Sequence, residues 1–480
     1  MQHIEGSDRD QLTLFPEALD DYIAQDNSVR FLDAFVDALD FAALAFTHAV
    51  LKDTGRPPYH PADLLKLYVY GYLNRLRSSR LLEREAGRNL ELMWLLKRLA
   101  PDFKTIADFR RDNRQAIRQV CRQFTLFCRQ LDLFGGELVA IPQEHRDDVD
   151  GSKFKAQNGK GRNFTHKKLK RQLKDLDKKI DDYLQELDQA DEEEKDTPDK
   201  PNAHELREKI EAMKRRQAEL RDIQEKLNQT GQSQLSLTDP DSRATPSRCP
   251  AGMPVGGGEA TVVGYNVQLS VDAKHKLIVD HEVTNDVTDL GLLSHMAKAA
   301  KEALGADEID VIADMGYYHG QQVKECLEDG ITPYIPKANT SANRKRGLFT
   351  KQDFAYDAEH DCYPCPAGHT LTYRFTTVEQ EREIRYYANP AACRQCPLKA
   401  RCTRNKGGRR ITRWIDEHLL EAMQARVEAE PDKVALRKQL VEHPFGTIKQ
   451  SMNQGYFLMR GLHKVRAETP ALAAQVQVWP

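Results

Sequence analysis

Apolar residues recur at helical spacing from Asn27 to about Gln130. Phe31, Phe35, Ala38 and Leu39 share one face, and Leu64, Leu65, Tyr68 and Tyr72 share another. This spacing predicts a set of amphipathic helices forming a small all-α unit. Pro61 sits where a helix can start, and Thr105-Ile-Ala-Asp108 reads as a capping box before a helix carrying Arg110, Arg111 and Arg114. After Phe134-Gly-Gly136 the period becomes that of a strand, Glu137 to Ile141, which Pro142 should end. From Thr165 to about Thr230 two leucine-rich stripes follow, Leu169, Leu173, Leu176, Ile180, Leu184 and Leu187, then Leu206, Ile210, Met213, Leu220, Ile223 and Leu227. They predict two helices folded as a hairpin, broken at the acidic, proline-containing stretch Asp191 to Pro201. Gly231 to Gly258, rich in Ser, Pro and Gly, reads as a flexible connection.

Strand alternation returns in Gly264 to Val271 and in Leu277-Ile-Val279, with a hairpin turn between them, and Leu292 to Leu304 is an amphipathic helix. Ile309 to Ala313 is a short apolar run that reads as a buried strand, opening onto Asp314 and turning away at Gly316. Thr332 to Ile335 is a further short strand. A last long helix starts near His418, is interrupted near Pro431 and continues through Leu440 toward Lys449. The order of strands and helices predicts a mixed α/β sheet, with the helical hairpin inserted after its first strand.

The chain has 480 residues, enough for two to four domains with cores of their own. No apolar run approaches membrane-spanning length, and Met1 to Asp21 does not resemble a secretion signal, so the expectation is a cytoplasmic protein without a membrane partner. A net charge of −2 argues against indiscriminate coating of nucleic acid, but it averages Asp191 to Glu194 with Lys167 to Arg171, so local patches decide. The exposed arginines of the N-terminal helices suit a helix-turn-helix-like DNA reader, and solvated helix faces are the plain alternative. Nine cysteines, five of them between Cys362 and Cys402, point to metal rather than disulfides. Cys365, Cys393, Cys396 and Cys402 are the preferred ligands of a structural Zn²⁺, with His369 as a substitute; reduced cysteines without metal are the alternative.

Three acidic positions remain. Asp314 ends a strand, Asp150-Gly151 lies near Lys153 and Lys155, and Glu442 lies in the last helix. Each alone has an ordinary explanation: a helix cap, an Asp-Gly turn, a solvated glutamate. Together, carboxylates at the ends of separate elements among Lys and Arg suit two-metal phosphoryl transfer. The set Asp150-Gly-Ser-Lys153, Ala313-Asp-Met-Gly-Tyr317 and Glu442-His-Pro-Phe-Gly-Thr-Ile-Lys449, followed by Gly455 to Leu462, resembles the DDE transposases of bacterial insertion sequences, closest to the IS1182-like group of the IS4/IS5-like superfamily. The resemblance extends over nearly the whole chain, including Arg56-Pro-Pro-Tyr-His-Pro61 and the cysteine segment.

That resemblance implies an α/β, RNase H-like mixed-sheet catalytic core in which Asp150, Asp314 and Glu442 hold two Mg²⁺ (or Mn²⁺) ions. It implies that Lys449 touches the transposon end and that Arg437 or Lys438 stands for the arginine the family carries before its glutamate. The implied partners are the terminal inverted repeats, target DNA and a second copy of the chain, at the bacterial nucleoid. The expected division is an all-α, DNA-binding segment 1–134, core 135–164, helical hairpin 165–230, connection 231–258, core 259–345, cysteine-rich zinc insertion 346–412 and a C-terminal helical part 413–480. Two features depart from the family pattern: Pro142 to Val149 intervene between the first strand and Asp150, and the chain ends in Gln-Val-Gln-Val-Trp-Pro480. The competing functions are therefore a transposase, a catalytically silent DNA-binding derivative and a stand-alone nuclease.

Overall fold

The structure is a computed structural model that describes residues 18–51, 57–141, 153–193, 202–247, 260–337, 342–379, 382–451 and 454–469. Asp150, with the departure at 142–149, and the C-terminal residues 473–480 lie outside the described residues, as does the side chain of Glu442.

The N-terminal part is helical: α1 (Ser28–Asp37), α2 (Pro61–Leu73), α3 (Ser79–Ala86), α4 (Leu90–Leu95), α5 (Phe103–Asp112) and α6 (Arg114–Gln130). Leu64, Leu65, Tyr68 and Tyr72 are buried as their spacing predicts. The face of α1 differs from the expectation, because Val29, Leu32 and Val36 fill the core while Phe31 and Phe35 lean on Phe124 and Phe127 of α6. Thr105 is not a cap either. Asp102 precedes the helix and accepts from the backbone N–H of Lys104 and Thr105, so α5 begins a turn earlier and Thr105 bonds back to its cap through its hydroxyl.

The chain then enters the sheet through β1 (Leu138–Ile141) and β2 (Lys153–Lys155). β3 (Asn163–Thr165) leads into the predicted hairpin, α7 (His166–Glu193) and α8 (Asn202–Thr230), which bury Leu169, Leu220, Ile223 and Leu227 against each other. The stretch read as a flexible connection instead contains β4 (Gln234–Ser236), paired with β3, and β5 (Arg243–Ser247), which joins the main sheet. Side-chain bonds explain the order: Asp239 accepts from the Tyr265 hydroxyl at 2.7 Å and from the Gly461 N–H at 3.0 Å, and Ser236, Ser242 and Asn163 bond to one another.

β6 (Ala260–Asp272), β7 (Ile278–Thr284), α9 (Leu293–Leu304), β8 (Ile309–Ala313), α10 (Gly320–Glu328) and β9 (Ile331–Tyr334) complete the sheet. Its central order is β7-β6-β1-β8-β9: β7 and β1 lie antiparallel to β6, and β1, β8 and β9 run parallel. One face packs on α9 and α10 through Val139, Ile141, Val311 and Ala313. The opposite face carries Phe154, Tyr265, Val267 and Leu269 into the same core as the N-terminal helices. After α11 (Ala342–Lys345), a four-stranded antiparallel sheet forms from β10 (Cys362–Pro364), β11 (Thr370–Glu379), β12 (Arg382–Ala388) and β13 (Arg410–Trp414), with α12 (Pro390–Arg394) and α13 (Lys399–Cys402) between the last two. α14 (Glu417–Ala429) and α15 (Pro431–Gly446) return to the main sheet.

A buried ion pair ties the two ends of the described chain. Arg77, in the basic turn between α2 and α3, is buried against Glu468 and donates also to the Tyr456 carbonyl at 3.0 Å. Glu468, fully buried, accepts in addition from the Leu458 and Met459 N–H groups. Arg77 is therefore structural. Removing one partner leaves an uncompensated buried charge, which costs about 3–5 kcal/mol. Glu468→Ala is expected to lower stability by roughly that amount, measured as a fall in the urea midpoint; an unchanged midpoint would show that the pair holds nothing.

Candidate active site

Parallel pairing of β1 with β8 aligns Leu138, Val139, Ala140 and Ile141 with Asp310, Val311, Ile312 and Ala313. Both strands end at one level. Alternation sends Val311 and Ala313 toward α9 and α10 and leaves Asp310, Ile312 and Asp314 for the face covered by α15. On that face Lys433 pairs with Asp310, and one helical turn later Arg437 Nη2 lies 3.8 Å from Asp314 Oδ2. The order of the pairs makes α15 rise in the same sense as β8. Leu440 and Val441 then bury against Ala140, Ile312 and Tyr334, so the backbone of Glu442 follows immediately after the helix's contact with both strands.

Asp314 is buried, and its Oδ1 accepts from the Met315 N–H at the start of a short turn over Met315–Tyr317. The capping role visible in the sequence is therefore real, and the second oxygen still faces a buried guanidinium. Beneath the turn lies a polar cluster that sequence reasoning missed. The Tyr317 hydroxyl donates to Gln268 Oε1, and Gln268 Nε2 donates to Asp289 Oδ1 at 2.8 Å and to Asn266 Oδ1 at 2.9 Å. Asn266 Nδ2 donates to the same Asp289 oxygen at 2.5 Å. All four residues are buried. Burial first, then the charges of Asp289 and Asp314, push the Tyr317 hydroxyl well above the usual phenol range. The alternating polar residues Asn266, Gln268 and Ser270 look like a solvent face in the sequence, and only the packing of α9 over β6 makes them interior.

The basic residues singled out from sequence fall in different places. Lys449 donates to the Lys153 carbonyl at 3.0 Å and lies 4.9 Å from the centre of the Phe154 ring, so it is held against β2. Lys153 is buried and Lys155 exposed, and Lys438 is exposed on α15. Arg110 and Arg111 lie on α5, which packs on α2 and α3; Arg111 is exposed and pairs with Asp108 and Asp112 at 2.6 and 2.7 Å. A cleft of about 500 Å³ between α6, β7 and α9 gathers Arg114, Arg118, Arg122 and Arg466, none of which the sequence had marked as one group.

Cys365, Cys393, Cys396 and Cys402 line one small cavity with His369, while Cys362, buried in β10, stands outside it. Gly408 must be glycine there, since it has φ +96° and a Cβ would meet Cys393 Sγ at 3.0 Å. The Cys402 thiol is pushed up by burial, and the neighbouring Cys393, Cys365 and Cys396 add to the effect. Among the described residues no group of three or more His, Cys, Asp or Glu side chains is arranged to hold a metal ion as it stands. No described helix is long and apolar enough to cross a membrane.

Two segments match family models. Residues 17–112, covering α1 to α5, match a transposase domain (DUF772), and residues 364–477, from the cysteine cavity through α15, match a transposase DDE domain. No curated protein and no solved structure matches the chain significantly. The helical N-terminal match and the C-terminal match that contains Glu442 together make this chain a DDE transposase of an insertion sequence.

Proposed function

We propose that the chain is an active transposase, cutting DNA at insertion-sequence ends and joining the 3′ ends to a target, with Asp150, Asp314 and Glu442 as its metal-binding carboxylates. The observation that carries this reading is the common level at which β1 and β8 end, with Asp314 directly after β8 and α15 laid across both strands. The order β7-β6-β1-β8-β9, antiparallel then parallel, supports an RNase H-like core. The narrower IS1182-like placement rests on the sequence motifs.

Carboxylate oxygens at converging backbone ends are the ligands that hard divalent cations take, so the donor chemistry of Asp314 fits Mg²⁺ or Mn²⁺. Two bound ions supply activation of water or a 3′-hydroxyl and stabilisation of the leaving oxygen. The chain's own residues orient the DNA: each step breaks one P–O bond of the backbone as the entering oxygen forms another, without a covalent link to protein. Arg437, the present counter-charge of Asp314, is the donor best placed to meet the phosphate there. Lys449, Lys438, Lys153, Lys155, Arg110 and Arg111 are proposed contacts to the DNA backbone, with a second copy of the chain at the other end. Binding through such contacts falls steeply with salt.

The cysteine cavity is proposed as a structural zinc site. Four thiols, Cys365 just after β10, Cys393 in α12, Cys396 between α12 and α13 and Cys402 in α13, line one cavity, the number and type of donor that Zn²⁺ takes in closed sites. A catalytically silent, DNA-binding derivative is the second reading, favoured by the eight extra residues ahead of Asp150.

Asp150→Ala, Asp314→Ala and Glu442→Ala are each expected to abolish Mg²⁺- or Mn²⁺-dependent cleavage of a duplex bearing the element's terminal repeat while leaving repeat binding intact in a gel-shift assay. Wild-type protein that binds the repeat and cuts with neither metal would favour the silent derivative. For the cysteine site, the purified wild type should carry one Zn²⁺ per chain by metal analysis, and Cys393→Ser or Cys402→Ser should carry less and melt lower. Wild-type protein free of zinc, with unchanged melting in both variants, would return these residues to ordinary reduced cysteines.

A further inference from the structure

β1 stands between β6 and β8, and its ladders with them end at Ala140 opposite Val271 and at Ile141 beside Ala313. Gln268 on β6 and Tyr317 after β8 both lie beyond those last rungs. The Tyr317 hydroxyl donates to Gln268 Oε1 and so ties the turn after β8 to β6. The whole Tyr317 side chain is buried. Its hydroxyl keeps the proton needed to donate, because burial and then the charges of Asp289 and Asp314 hold it well above the usual phenol range.

The direction of that bond is set from further back. Asp289 lies between β7 and α9, and its Oδ1 accepts from Gln268 Nε2 at 2.8 Å and from Asn266 Nδ2 at 2.5 Å. Asn266 is thereby turned to offer its Oδ1 to the second hydrogen of Gln268 Nε2, at 2.9 Å. With both Nε2 hydrogens taken, Gln268 can present only its oxygen to Tyr317. Asn266 and Gln268 alternate with Tyr265, Val267 and Leu269, which enter the core on the opposite face, so β6 itself aims both amides to this side. None of the four residues has a buried side-chain atom without a partner, and a satisfied buried network rigidifies what it holds.

What it holds is the turn that carries Asp314. The Tyr317 N–H donates to the Asp314 carbonyl at 3.0 Å, and the Tyr318 N–H to the Met315 carbonyl at 3.2 Å. The Met315 N–H donates to Asp314 Oδ1, which leaves Oδ2 on the side of Arg437. Asp314 is thus fixed by β8 on one side and by Tyr317, three residues later, on the other. We propose that Tyr317 is a positioning residue for Asp314, its hydroxyl anchored by Gln268 and Asp289 so that the turn holds the carboxylate in one orientation. The consequence for cleavage rests on the reading of Asp314 as a metal-binding carboxylate; the anchoring of the turn does not.

The test uses the full chain and the variants Tyr317→Phe, Gln268→Leu, Leu304→Ala and Asp314→Ala. Leu304, buried at the far end of α9, is the control for lost packing. Hydrogen exchange of the Met315, Tyr317 and Tyr318 amides, followed by mass spectrometry without metal, reads the anchor whether or not the chain cuts DNA. Tyr317→Phe and Gln268→Leu each leave a buried group without its partner and should speed exchange there about tenfold, with β8 still protected. Leu304→Ala should not. Exchange unchanged in the first two, or sped equally by Leu304→Ala, would overturn the anchor. Mn²⁺-dependent cleavage of the terminal repeat, below the melting range of every variant, reads the consequence. Tyr317→Phe should lower kcat by about 10- to 100-fold, the cost of a slightly misplaced group, with the KM for DNA unchanged, while Leu304→Ala keeps the wild-type rate. Normal kcat in Tyr317→Phe beside an inactive Asp314→Ala would overturn the positioning role. Normal cleavage by Asp314→Ala, with exchange sped as expected, would instead reject Asp314 as a metal ligand and leave the anchor standing.

Discussion

The parallel pairing of β1 with β8 is the constraint on which the rest depends. Parallel neighbours cannot be joined by a tight turn, so the chain reaches β8 only after making β6, β7 and α9; α9 and α10 then bury one face of the pair and α15 the other. Burial of the pair in turn makes Asp310 and Asp314 costly unless each has a counter-charge. α15 supplies both, Lys433 and Arg437, one turn apart on the side that also buries Leu440 and Val441. A helix held by two ion pairs and an apolar seam has little freedom to rotate, and its next residue is Glu442. The placing of Asp314 opposite Arg437 is thus a consequence of how the sheet has to be covered.

The ends of the described chain reinforce this arrangement. The segment around Gly455 to Phe457 lies along β2, and Lys449 grips the Lys153 carbonyl from the same side. Glu468 then locks that segment to Arg77 in the N-terminal helices. The helical part matched by one transposase model and the C-terminal part matched by the other therefore share a core and a buried charge pair.

Much of this was legible in the sequence, and the exceptions have physical reasons. The apolar run before Asp314, the amphipathic α9, the leucine stripes of α7 and α8 and the cysteine spacing all report local periodicity, which sequence displays directly. β4 and β5 were hidden in a polar Ser-Pro-Gly stretch because their order comes from Asp239, Ser236 and Ser242 bonding to distant partners. The burial of Arg77 was hidden because nothing nearby in sequence reveals Glu468. Asn266, Gln268 and Asp289 were invisible for the opposite reason: alternation implied solvent on a face that α9 covers. Asp314 and Arg437 were both picked out, and the structure adds that they face each other.

The proposed function rests on Asp150, Asp314 and Glu442 together holding two divalent cations. Iron-directed self-cleavage tests it without any knowledge of the terminal repeat: the protein is loaded with Fe²⁺ in place of Mg²⁺, ascorbate and peroxide are added, and the backbone cuts are mapped by mass spectrometry. The account predicts cuts clustered near residues 150, 314 and 442, suppressed by excess Mg²⁺ and lost in Asp314→Ala. Cuts confined to other segments, or a pattern indifferent to Asp314, would contradict it.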